Sequence, residues 1–102
     1  MEQGQTLFLV RGDATLGSVT VQHALCDFPW YGGRFDAMPS FVAVEDLFRA
    51  ELNLLEEDAM EAWEIAWAQI EEPGLKLVPE DGGTPIVDLI IHIDGATARW
   101  RF

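Results

Sequence analysis

The chain has 102 residues, 49% of them hydrophobic and 24% charged, and eighteen Asp and Glu against six Lys and Arg give a net charge of −12. That length suits one domain with a core of its own, and that composition is globular rather than disordered. So few basic side chains argue against nucleic-acid binding, which rests on Lys and Arg displacing counterions, and against anionic membrane surfaces for the same reason.

Residues 6 to 23 read "TLFLVRGDATLGSVTVQH", two β-prone runs around Gly12, Asp13 and Gly17. This is a hairpin signal. With a loop at Gly12 to Thr15, Phe8 opposes Val19 and Thr6 opposes Val21. Phe8, Val10, Val19 and Val21 then form the inner face, while Leu7, Leu9, Ser18 and Thr20 point outward. The Arg-Gly-Asp tripeptide in the turn resembles an adhesion motif, but Gly-Asp is also ordinary turn chemistry.

The next stretch, "CDFPWYGGRFDAMPSF" (Cys26 to Phe41), concentrates aromatics, prolines and a Gly-Gly pair. Architecturally it reads as a third strand with a glycine bulge, its aromatics covering the sheet edge or the helix pair. As a ligand site, Trp30 and Tyr31 would offer stacking surfaces while Arg34 and Asp36 orient a polar ligand.

From Ser40 the period changes to that of a helix. Ser40 is a candidate N-cap, and Phe41, Val44, Phe48, Leu52 and Leu55 recur at three and four. Asp58 and Glu61 have the spacing of a capping box for a second helix, whose buried face is Met60, Trp63, Trp67 and Ile70. Pro73-Gly74 ends it.

The last third returns to β. "LKLVP" and "PIVDLIIHI" are separated by "EDGGT", and Asp94-Gly95 precedes "ATARWRF". Asp-Gly between β runs predicts a two-residue type I′ turn. It pairs Ile93 with Ala96, Ile91 with Ala98, Leu89 with Trp100 and Val87 with Phe102, all on the inner face. His92, Ile90 and Asp88 fall outside, opposite Thr97, Arg99 and Arg101. The expected fold is therefore α+β. An antiparallel sheet of two β groups (residues about 6–35 and 75–102) carries an antiparallel helix pair (about 41–55 and 58–71) on one face.

Catalytic signatures are sparse. His23 and Cys26 form a lone H-x-x-C with no second pair to complete a zinc site, so no metal is expected. No P-loop, dinucleotide fingerprint or G-x-S-x-G elbow occurs, so no cofactor is expected. The feature with direction is acidic: from Glu45 to Glu72 ten acids face Arg49 alone. Glu57, Glu61 and Glu64 fall at helical spacing on an exposed face, where like charges oppose folding and would suit docking of a basic protein. A non-enzymatic binding or regulatory module is the leading expectation, and a small-ligand site near Trp30, Arg34 and Asp36 is the alternative.

Leu7, Leu9 and Ile90, expected together on the outer sheet face, would favour a homodimer through that face. The unpaired Cys26, the lack of an apolar run near 20 residues and an N-terminus without a basic n-region fit a soluble cytoplasmic protein.

Overall fold

A computed structural model describes all residues from Met1 to Phe102. The strands are β1 (Thr6–Arg11), β2 (Ala14–Val21), β3 (Tyr31–Ala37), β4 (Leu75–Pro79), β5 (Ile90–Asp94) and β6 (Thr97–Arg101). Helices α1 (Glu45–Glu56) and α2 (Met60–Glu71) lie between β3 and β4. All strands join one antiparallel sheet in the order β4-β1-β2-β3-β6-β5, and the helices pack against it. The expected α+β architecture is the one adopted. No helix is long and apolar enough to cross a membrane.

The sheet is strongly curled, for a reason visible in chain length. Strands β4 and β5 are its opposite edges, yet Ile86 still bridges to Leu77 of β4. Only four steps of chain then lead from Ile86 to Ile90 on β5, and these reach at most about 14 Å. The edges must come close. Leu7, Leu9, Val19, Val21, Ile91, Ile93, Ala98 and Trp100 line the concave side, and Phe48, Trp67 and Ile70 of the helices join the same core.

Two registers differ from the expectation. In the first hairpin Arg11 pairs with Ala14 and Leu7 with Val19, with a bulge after Leu9. The turn is Gly12–Asp13, and Gly12 has φ 58, a positive value that suits the first central position of a type II′ turn. The shorter loop and the bulge move β1 by one residue. Leu7 and Leu9 are fully buried, while Phe8 and Val10 are half-buried on the other side. A one-residue slip exchanges every side chain between faces, so the outer apolar patch built on Leu7 and Leu9 does not exist. Ile90 packs against the core periphery instead. The homodimer expectation loses the surface on which it was based.

In the last hairpin the turn is Gly95–Ala96, so Asp94 pairs with Thr97, Ile93 with Ala98 and Ile91 with Trp100. Glycine again takes the first central position, with φ 60, rather than the second position that a type I′ turn at Asp94-Gly95 required. The slip is two residues, so faces are preserved. Val87 and Phe102 fall beyond the paired strands and are exposed.

Asp58 does not cap α2. Its φ is 55, its N–H donates to the Leu55 carbonyl, and the N–H of Ala59 donates to that of Leu54. These two bonds are the Schellman motif, which places Asp58 just past the end of α1 in the left-handed conformation that Asp tolerates. Helix α2 therefore starts later, at Met60, which is exposed rather than buried. Ser40 sits in a short 3-10 turn (Pro39–Ala43) and donates its hydroxyl to the Thr15 carbonyl instead of capping α1.

The Arg-Gly-Asp turn has a structural use. Arg11 donates from Nε to the Ile70 carbonyl at 2.8 Å and from Nη2 to that of Gln69 at 2.9 Å. The last turn of α2 has no basic residue of its own, and a cation from β1 satisfies its orphan carbonyls. Arg11→Met should lower stability by about 1.5–3 kcal/mol, the range for hydrogen bonds from charged groups. Urea unfolding measures it, and a loss below about 0.5 kcal/mol would mean the cap contributes no more than an ordinary surface contact.

Candidate functional site

The sheet's outer side near β5 and β6 carries the most concentrated polar chemistry. His92 of β5 points away from the core strands yet is only 8% exposed. It was expected on an open outer face. Two elements cover it: α1 from the β5 edge, and Trp30, which precedes β3 and reaches across β6. The Trp30 and His92 rings lie 5.2 Å apart, and the Arg101 guanidinium sits 5.8 Å from the Trp30 ring centroid, within cation–π range.

Beneath His92 lies Glu51 of α1, with no exposed surface at all. Its Oε1 is 2.5 Å from His92 Nδ1 and accepts a hydrogen bond from Trp63 Nε1 at 2.9 Å. The contact with His92 has the distance of an ion pair but is not aligned as a hydrogen bond, and Oε2 has no partner. A carboxylate removed from water needs compensation of this kind, and here it is incomplete. Trp63 stacks on Trp67 with centroids 6.0 Å apart, and Trp67 Nε1 donates to Glu71 at 3.2 Å. A continuous chain of contacts thus runs from Arg101 and Trp30 through His92 and Glu51 into α2. In the sequence Glu51 is simply one of the ten acids between Glu45 and Glu72. Its place three residues after Phe48 on the apolar side of α1 was the available signal.

Next to His92, a groove of about 650 Å³ opens between α1 and the β5–β6 hairpin. That volume lies within the range of small-molecule sites. Phe48, Leu52 and Ile93 provide apolar wall; Arg99, Thr97 and Asn53 provide polar groups.

The four residues proposed as a ligand site do not converge as a set. Tyr31 stacks on Trp100 and Phe102, with centroids 6.3 and 5.5 Å away. Arg34 and Asp36 pair with each other at 2.9 Å, both half-exposed on the opposite side of β3 from Tyr31. Only Trp30 touches the His92 cluster. Gly32 and Gly33 explain much of the stretch: a Cβ on Gly33 would collide with the Thr20 carbonyl, and one on Gly32 with that of Leu25. The glycines let β3 pass close to neighbouring backbone.

His23 and Cys26 face different partners. His23 Nε2 contacts the Met1 carbonyl at 2.9 Å, while Cys26 Sγ receives the Gly32 N–H at 3.3 Å. Glu57, Glu61 and Glu64 are exposed, Glu57 at the end of α1 and the other two on α2.

These features define an α+β domain with a curled antiparallel sheet, a buried Glu–His pair beside a groove, and an acidic helical side. No protein family, curated protein or solved structure matches the chain significantly.

Proposed function

We propose that the protein is a non-enzymatic binding module that docks a basic protein through its helical side. The observation that carries this reading is how little of the acidic charge is neutralised. Of the ten acids between Glu45 and Glu72, Glu45 pairs with Arg49 at 3.6 Å and Glu51 with His92, which leaves eight without a cationic partner. Like charges on adjacent turns oppose folding by a few tenths of a kcal/mol per pair. Their field would steer and select a basic partner.

Helix α2 supports the same reading. Only Trp67 and Ile70 are buried along its length, and Ile65 and Met60 are 66% and 45% exposed beside Glu61 and Glu64. Apolar anchors within a polar surround are the usual anatomy of a protein interface. The half-buried, free thiol of Cys26 suits a reducing compartment, so we place this activity in the cytoplasm.

Native mass spectrometry of untagged protein isolated at low salt tests the idea. A basic protein should co-purify, dissociate as salt screens the interface, and bind at least about tenfold more weakly to the triple variant Glu57→Lys, Glu61→Lys, Glu64→Lys. Binding that ignores both salt and charge reversal would rule out the acidic side as the dock.

A further inference from the structure

The groove beside His92 has features that docking through the helices does not use. The chain has only six basic side chains, yet Arg34, Arg99 and Arg101 all stand on the outer face of the adjacent strands β3 and β6. Arg34 is tied to Asp36 and Arg101 lies over Trp30, but Arg99 has no acidic partner within ion-pair distance. Arg99 is directly opposite His92 in the β5–β6 register, so their Cβ atoms are about 5 Å apart. With Nδ1 turned to Glu51, the His92 ring has Nε2 left for another group, and the residue lines the groove. An imidazole nitrogen that carries its proton is a hydrogen-bond donor.

We propose that this groove binds a small organic carboxylate. The Arg99 guanidinium and His92 Nε2 hold the carboxylate oxygens, and the apolar end lies against Phe48, Leu52 and Ile93. A planar guanidinium fork beside a second donor matches the two oxygens of a carboxylate. Glu51 is the positioning residue: it fixes the imidazole from below, and Trp30 holds it from the side. Three acids also line the groove, Glu45, Glu56 and Asp94. Glu45 is tied to Arg49, and Asp94 stands two residues along β5, about 7 Å from His92. Selection for an anion therefore resides at the Arg99 end.

The test is a nitrogen-15 NMR titration of the full chain with hexanoate, hexylamine and hexanol at constant ionic strength. Hexanoate should shift the signals of Arg99, His92 and Leu52, and the amine and the alcohol should not do so at the same concentration. Arg99→Ala, an exposed change that leaves the core intact, should weaken hexanoate binding about tenfold or more. Arg34→Ala, on the same face but outside the groove, should leave it unchanged. No shift at the groove, equal binding of all three probes, or equal effects of the two arginine variants overturns the proposal. None of these readouts depends on the acidic side of α2.

Discussion

Replacing Glu51 by alanine should destabilise the protein by about 3–5 kcal/mol, the cost of removing one partner from a buried ion pair. The substitution leaves a cavity in a fully buried position and strips the Trp63 indole of its acceptor. It also leaves the 8%-exposed His92 ring without its carboxylate. Because Trp63 and Trp67 both lie on α2, tryptophan fluorescence should report loosening of α2 as well as global unfolding.

The informative comparison is the double variant Glu51→Leu, His92→Leu. Filling both positions with apolar side chains removes the desolvation cost along with the attraction, and such replacements are often neutral or stabilising by about 1–4 kcal/mol. Urea unfolding of the two proteins separates the cases. A single variant that loses less than about 1 kcal/mol would mean that Glu51 is not held as described. A double variant as stable as the parent would mean that folding does not need the pair, and its use would then lie in the groove.

Gly33→Ala should cost about 3 kcal/mol, the upper end of the range for overpacking. The obstruction is backbone, the Thr20 carbonyl in the neighbouring strand, with the Val21 Cα at 3.2 Å. Neither can rotate away as a side-chain tip could, so β2 and β3 must separate and weaken their ladder. Gly82→Ala is the control. Its φ is 86, but a Cβ there meets nothing within 4 Å, so only the left-handed penalty of about 1–2 kcal/mol applies. Equal losses in the two variants would contradict the close approach of β3 to β2. Thermal or urea denaturation decides it.

These glycines also show where reading the sequence succeeded and where it stopped. "PWYGGRF" was legible as a strand, but the glycine bulge it suggested is absent, since β3 pairs with β2 and β6 through Gly32 and Gly33 without a shift of register. What the glycines approach was not legible, since Thr20 and Leu25 meet them only through strand pairing and a loop. Asp58 failed for a different reason. An Asp three residues before a Glu fits both a capping box and a helix exit, and the choice depends on whether α1 ends in a Schellman turn. Of the candidate site, Trp30 was singled out from the sequence, but Glu51, His92 and Arg99 were not assembled. They lie on α1, β5 and β6, and nothing in their spacing announces that α1 would lie along the β5 edge.

The sequence by itself determined the class of fold, because period and composition act locally: alternating runs around Gly12 and Gly95 signal strands, and Phe48, Leu52 and Leu55, three and four residues apart, signal a helix. It also determined the net charge, and with it the kinds of partner worth considering. Tertiary structure decided the registers, through a bulge after Leu9 and a two-residue shift at Gly95 that sequence alternation tolerates equally well. It likewise decided that one acid of ten, Glu51, would be sealed beneath a histidine. The burial of Glu51 depends on how the sheet brings its β5 edge against α1, and that is a matter of packing between segments far apart in the chain.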